Sequence, residues 1–542
     1  MDPLNPNSPI PPKDPSKKDT LSSSRPSTPP LFDPTKEKAL PLDPARVTPP
    51  SAAAQKSSPS KEDNLDIALN NLILAFCIQN LGFENPFGAI MSAGGVCFGI
   101  SHMGIQAFLL KDIQAFDERL KKLDALFKNH NASSEEELIE YVRDGIKSDP
   151  DFLAFFEGVT LYHEGFMHTQ LFEQGLLPMT QFSTELIPTV SQLVLPEKLQ
   201  AKGGLKLLVK ETGLYTQNAL LQYLDSIKAL SQKDAPPLAL RLSNQIHTLS
   251  IGYDSDINKW VLIDSESIKK RRILETSDLA EHIVKAFGNQ EETPITMAMY
   301  ATEQESKAPR FQEHFSKWKT SQDTKRKEML KPASLSEVSK EGQEKWLCRA
   351  SIEGDFPAVQ ALIESGTNPN AEVVFAQTTT PLNAALLSGH LPTAEYLLTH
   401  GANPNYSSTN VLAPLCCTIP TSNVSGTKLL LESGADPNTV FHMGPTQGLP
   451  VLITALALQN PLIIKTLLEK GANPNADYQG GTPFAFAVAS KVDPEIIAMM
   501  IEYKADVNAV AMGDSILDIA NQVGATKEVI EMIIAAGGKS AQ

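Results

Sequence analysis

The sequence predicts an α+β domain followed by an all-α repeat solenoid, with a proline-rich tail ahead of both and a charged linker between them. Three observations predict this. Apolar periodicity changes from helical to alternating within residues 63–302. A glycine-led phrase ending in Pro-Asn recurs at near-constant spacing from residue 366 onward. Residues 1–62 hold 15 of the 39 prolines, with many Ser, Asp and Lys.

The chain has 542 residues, room for two or three domains. Apolar content of 42% with 20% charged residues fits a soluble globular protein. The net charge of −16 argues against a general binder of nucleic acid or of anionic membranes. Lys269-Lys270-Arg271-Arg272 reads as a solvated loop or strand end rather than a phosphate site. The five cysteines (77, 97, 348, 416 and 417) form no paired framework and no CxxC, which suggests a reducing compartment and no structural zinc. The N-terminus lacks the charged-then-apolar pattern of a Sec signal. The most apolar run, Ile67 to Leu81, is short and holds Asn70, Asn71, Gln79 and Asn80, so it reads as a core helix rather than a membrane span.

Taken in order, residues 1–62 cannot bury enough apolar surface to offset ordering and are expected to be disordered. Within 63–302, helices are expected at 64–80, 97–128, 134–147, 150–172 and 214–231. Leu238–Leu242 and Ile246–Tyr253 then alternate with period two. The polar turn Asp254–Asn258 and Trp260–Asp264 follow, so 246–264 reads as a hairpin. A helix at 277–287 and a strand near Ile295–Tyr300 complete the domain. Helices first and an antiparallel sheet second is an α+β arrangement. Residues 303–342 are charged and helix-prone, broken at Pro309 and Pro332, and read as a linker or bridging helices.

Residues 343–542 repeat. The phrase occurs as Gly366–Asn370, Gly401–Asn405, Gly434–Asn438 and Gly471–Asn475, with a degenerate copy at Lys504–Asn508; its final Asn residues stand 35, 33, 37 and 33 apart. With Thr380-Pro381-Leu382, Thr482-Pro483-Phe484 and paired short helices between phrases, this region resembles the ankyrin repeat. Five repeats and a C-terminal cap from Asp514 to Gly537 are expected. Each Gly lets the chain leave the second helix through a left-handed residue, and Lys504 predicts strain or a different helix end. The resemblance implies a protein-binding surface. Phe375, Tyr406, Phe441, His442 and Tyr478 fall at the tips between repeats. There they either contact a partner or pack on the neighbouring repeat.

One stretch in the first domain carries chemistry. Gly94-Gly95-Val96-Cys97-Phe98-Gly99 delivers a cysteine to the start of a helix, where unpaired N–H groups and the helix dipole favour thiolate. A buried structural cysteine is the alternative. A nucleophilic cysteine needs a base, and the base an orienting group. If the hairpin pairs with a constant index sum of 511, His247 faces Asp264, and both share a sheet face with Leu249, Ile251, Trp260 and Leu262. A one-residue slip would separate them.

Gly-Xaa-Cys at a helix start, His opening one strand and Asp ending the next resemble the papain-like cysteine proteases, most closely the YopT/AvrPphB-type bacterial effector peptidases. The resemblance implies Cys97 as nucleophile, His247 as general base and acid, and Asp264 as the residue orienting the imidazole. With the ankyrin array, it also resembles the type IV-secreted ankyrin effectors of Legionella-type intracellular bacteria. That implies non-Sec delivery to the host cytosol, or onward to the nucleus, and a host protein partner.

Two features depart from the pattern. The family places an Asn or Gln five or six residues before the cysteine to bind the oxyanion; Ser92 and Met91 stand there, leaving Gln79, Asn80 or Asn85 as substitutes. Ser265-Glu266 replaces the usual Pro-Asn after the Asp. His102 lies about 140° round the helix from Cys97 and is poorly placed as a base. Tyr162-His163-Glu164 with His168 reads as a solvated helix face. There is no phosphate loop or dinucleotide fingerprint, and no cofactor or metal is expected. The expected activity is that of a cysteine peptidase, acyltransferase or deamidase acting on a protein recruited by the array. The alternative is an inactive protease fold that serves as a scaffold.

Overall fold

The computed structural model describes residues 97–128, 137, 141, 144–146, 148–149, 151, 155, 197–231, 235–244, 247–264, 272–288, 294–375, 378–441 and 448–540. The tail, the helix expected at 64–80 and most of those at 134–147 and 150–172 lie outside these residues.

The sheet organises the first domain. After helices α1 (Cys97–Leu109) and α2 (Ile113–Lys128) come β1 (Leu205–Leu214), α3 (Gln217–Leu230), β2 (Ala239–Ser243), β3 (Thr248–Asp254), β4 (Lys259–Asp264), β5 (Arg272–Leu274), α4 (Thr276–Ala286) and β6 (Pro294–Thr302). The six strands pair antiparallel in the order β1-β6-β2-β3-β4-β5. The single helix expected over 97–128 is two, because Lys111 turns left-handed at φ 55° between α1 and α2.

Alternation along the strands sorts side chains onto two faces. Leu240, Leu242, Leu249, Ile251, Trp260, Leu262, Met297 and Met299 form one apolar face, buried against Leu220, Leu224 and Ile227 of α3 and Leu279 and Ile283 of α4. The opposite face is shared. α1 lies along β3 and over its neighbours β2 and β4, with His102 set edge-on to Tyr300 of β6. The first helix of the repeat array covers the β1–β6 half.

Residues 303–342 are not a free linker. α5 (Pro309–Met329) buries Phe311 and Trp318, two turns apart on one face, in the apolar core beneath α3. Trp318 Nε1 donates to Ser226 Oγ at 3.0 Å, and Arg326 Nη1 to Thr212 O at 2.9 Å.

Six helix pairs follow: α6 (Lys340–Glu353) with α7 (Phe356–Glu364), α8 (Pro381–Leu387) with α9 (Leu391–Thr399), α10 (Pro414–Thr418) with α11 (Val424–Glu432), α12 (Val451–Ala457) with α13 (Pro461–Glu469), α14 (Pro483–Ala489) with α15 (Pro494–Glu502), and α16 (Ile516–Gln522) with α17 (Lys527–Ala535). Each closing Asn clamps the next repeat. Asn405 Nδ2 donates to Gly434 O at 2.8 Å, and its Oδ1 accepts from Asp436 N at 2.7 Å. Asn370, Asn438, Asn475 and Asn508 repeat the pattern. Lys504 takes the place of glycine with the same left-handed exit, at φ 65°.

The array joins the sheet through buried charge. Glu353, 2% exposed, bonds Arg349 Nη2 at 2.6 Å and Arg241 Nη2 at 3.1 Å. Asp355 accepts from Thr212 N at 2.6 Å and Thr212 Oγ1 at 2.7 Å and pairs with Arg326. Trp346 Nε1 donates to Thr212 Oγ1 at 3.2 Å. Burial alone would raise the Glu353 pKa, but Arg241 and Arg349 outweigh it and hold the group at about 2, below its ordinary 4.5. A carboxylate depressed in the folded state stabilises fully above its unfolded value, and that contribution is lost as the pH falls from 4.5 through 2.

Glu353→Gln is expected to cost about 3–5 kcal/mol at neutral pH, because two guanidinium groups lose their buried counter-charge. It should also flatten the loss of stability between pH 4.5 and pH 2, measured by urea unfolding across that range. Lys504→Gly should stabilise the array by about 0.5–1 kcal/mol by relieving the left-handed strain, read from the same titration at neutral pH.

Candidate functional site

The site is built on the turn between β2 and β3. Asn244 N–H donates to His247 O at 3.0 Å, and His247 N–H donates to Asn244 Oδ1 at 2.9 Å. Asn244 Nδ2 reaches Phe287 O at 3.3 Å, and the Phe287 ring stands edge-on to the His247 imidazole, centroids 6.1 Å apart. His247 is thus held by its backbone and walled on one side by an aromatic ring.

The β3–β4 register differs from the expected one. Leu249, not His247, pairs with Asp264, and Tyr253 pairs with Trp260. The index sum is 513 because the loop closes at Asp254 and Lys259. Asp254 Oδ1 accepts from Asp256 N at 2.9 Å, and Asn258 takes a left-handed φ of 53° that asparagine tolerates. The shift of two preserves the shared face. Asp264 meets His247 diagonally, with Nε2 2.8 Å from Oδ1 and both side chains 4% exposed.

Asp264 has a second imidazole. His282 Nε2, on α4, lies 3.0 Å from Asp264 Oδ2. An ionised carboxylate only accepts hydrogen bonds, so two Nε2–H donors satisfy both oxygens. With Asp264 ionised, neutral His247 carries its proton on Nε2, which makes Nδ1 its basic nitrogen. The sequence reading missed His282, which lies 18 residues past Asp264 on a different element. The available signal was its place on an amphipathic helix packed over the His–Asp face. Among the described residues, no group of three or more His, Cys, Asp or Glu is arranged to hold a metal ion.

α1 approaches from the other side of the sheet. Ser101 Oγ donates to Thr248 O at 3.2 Å. A Cβ at Gly104 would lie 2.7 Å from Ile263 Cδ1 and 2.9 Å from Ser250 Oγ, and one at Gly252 would lie 2.4 Å from Phe108. Only glycine permits this closeness. The helix therefore tracks β3, with 101 beside 248, 104 beside 250 and 108 beside 252. The start of α1, at Cys97, therefore lies toward the N-terminal end of β3, the end that follows His247. The Cys97 side chain lies outside the described residues. His247 and Asp264 project from the face opposite α1, so any approach of thiol and ring runs around the end of the sheet. His102 is buried in the α1 interface. Ser92, Met91, Gln79, Asn80, Asn85, Tyr162, His163, Glu164, His168 and Ser265-Glu266 lie outside the described residues.

At the array tips the structure corrects one expectation. Phe441 is 2% exposed within the repeat core and offers no surface to a partner. Its strand pairs it inward against Leu449. Phe375 is half-buried against a cluster of Cys348, Ala371, Val373 and Ala384. The Tyr406 hydroxyl donates to Glu372 Oε1 at 2.9 Å, and Tyr478, half-buried, bridges to Gly481. His442 lies outside the described residues. The apolar groups most exposed at the tips are instead Val374, Val510 and Met512.

Residues 347–441 match the ankyrin-repeat family in three copies, and this part of the chain is an ankyrin-repeat array. No protein of curated function matches the chain. Among solved structures, the chain is similar to an ankyrin repeat domain of Acinetobacter baumannii, at 20% identity and TM-score 0.32, covering 36% of this chain and 98% of that one. It is similar to the ankyrin repeat domain of Bcl-3, an IkappaB family member, at 22% identity and TM-score 0.30, covering 36% and 86%. A chain of the complex between a predatory endopeptidase of Bdellovibrio bacteriovorus and an immunity protein matches at 21% identity and TM-score 0.30, covering 35% and 96%.

Asp264→Asn is expected to move the titration midpoint of the His247 ring to lower pH, because a neutral amide no longer stabilises the imidazolium. Nitrogen-15 NMR of the histidine rings across pH 5–9 checks this.

Proposed function

We propose that the chain is a papain-like thiol hydrolase or acyl transferase whose protein substrate is recruited by the ankyrin array. The observation that carries the reading is the buried His247–Asp264 pair at 2.8 Å, at the end of β3 toward which the start of α1, bearing Cys97, also lies. In this reading His247 Nδ1 takes the Cys97 proton and the thiolate attacks the substrate carbonyl. The resulting oxyanion is stabilised by N–H groups of the first turn of α1, which have no partner within a helix. His247 returns its proton to the leaving amine, a thioester remains, and water deprotonated by His247 releases the acyl group and restores the thiol. Asp264 stays ionised throughout and keeps the imidazole oriented. Recruitment by the array raises the local concentration of substrate. Delivery by a bacterium into a host cell is proposed with this reading and rests on the resemblance alone.

A second reading is a binding scaffold on a retired hydrolase fold. It is favoured by the placement of α1 and the His–Asp pair on opposite faces of the sheet.

Labelling of the full chain with a cysteine-directed acyl electrophile separates the two. Burial raises the pKa of Cys348 and Cys416 and pushes Cys417 up to about 12, so these thiols give little background. The hydrolase reading predicts labelling at Cys97, abolished by Cys97→Ala and slowed about 100-fold or more by His247→Ala. Labelling of Cys97 at the rate of an unstructured thiol, unchanged by His247→Ala, would leave the scaffold.

A further inference from the structure

We infer that Arg349, in the first helix of the ankyrin array, is a positioning residue for His247, so that the array forms part of the site rather than a tether beside it. The inference rests on the hydrolase reading above. Arg349 is buried where α6 crosses the sheet, and its guanidinium is spent in several directions. Nε donates to Thr296 Oγ1 at 2.8 Å, Nη1 to Asn244 O at 3.0 Å, and Nη2 to Ser243 Oγ at 2.6 Å and Glu353 Oε1 at 2.6 Å. Two of these acceptors, Ser243 and Asn244, are the last residue of β2 and the first residue of the turn that ends in His247.

Asn244 links the two. Its carbonyl receives Arg349, its side-chain oxygen receives the His247 N–H, and its own N–H donates to His247 O. Its Nδ2 also holds the Phe287 carbonyl, and the Phe287 ring walls the imidazole. A displacement of the guanidinium therefore moves a residue that holds both the backbone of His247 and its aromatic wall. Glu353 anchors the guanidinium from the far side and is itself shared with Arg241 of β2. Lysine cannot replace this arrangement, because a single ammonium lacks the planar fork that reaches Thr296, Ser243 and Asn244 together.

The test uses the full chain in four forms: wild type, Arg349→Lys, Ser243→Ala and Trp346→Phe. Trp346 lies on the same helix and bonds Thr212 across the same interface, away from the turn, so Trp346→Phe reports a merely structural loosening. Two quantities are read: the rate of Cys97 alkylation by iodoacetamide, followed by peptide mass spectrometry, and the pH titration of the His247 ring by nitrogen-15 NMR. Arg349→Lys is expected to slow Cys97 alkylation between about tenfold and a hundredfold and to shift the His247 titration. Ser243→Ala should do the same to a smaller degree and carries the test if Arg349→Lys does not fold. Trp346→Phe should lower the melting temperature and leave both readings at their wild-type values. A folded Arg349→Lys or Ser243→Ala protein with wild-type alkylation and titration would overturn the inference, and so would an equal effect of Trp346→Phe. Wild-type Cys97 reacting no faster than a peptide thiol would instead overturn the hydrolase reading. The titration arm would still report whether Arg349 holds His247.

Discussion

The fold depends on a buried carboxylate shared by two arginines. Glu353 of the first repeat, Arg349 one turn before it, and Arg241 of β2 sit in the seam between array and sheet, each at most 6% exposed. Taking three charges out of water is expensive, and their mutual attraction recovers the cost only where geometry is good and further hydrogen bonds exist. Thr296, Ser243 and Asn244 supply those bonds. An apolar seam would hold the same surfaces together with less demand on orientation. The charged seam specifies one register between α6 and the strands, and through Asn244 that register reaches the turn before His247.

The same sheet divides its labour by face. Its apolar side buries α3 and α4 and carries the His247–Asp264–His282 chain at its rim. Its other side takes two helices of different origin, α1 from the first domain and α6 from the array. The chain beyond residue 343 thus covers strands that the first domain leaves open. Asp264 gains from this order: two imidazoles hold its two oxygens in place against His247.

Much of this was legible in the sequence, because periodicity and turn chemistry are local. The Asn spacing revealed the array, and the structure shows why the final Asn recurs: each one bonds the backbone of the next repeat. Alternation around Leu249 and Trp260 put His247 and Asp264 on one face, and a register error of two residues left that face unchanged. Non-local facts were not legible. Phe441 looked like an exposed tip, yet its side of a two-residue strand faces the core. The charge of 303–342 masked Phe311 and Trp318, which bind that helix to the domain. Arg349 and His282 meet the site through tertiary packing, and the amphipathic pattern around His282 marks a buried helix without saying which residue it faces.

The central claim is that the turn carrying His247, the start of α1 and the first repeat compose one thiol site. A crystal structure of the full chain with Cys97 alkylated by a substrate-like peptidyl vinyl sulfone tests it most directly. The account predicts the sulfur within hydrogen-bond reach of His247 Nδ1, with Asp264 on Nε2 and Arg349 still on Asn244 O. An adduct on Cys97 directed away from the turn, with His247 beyond reach of it, would contradict the account.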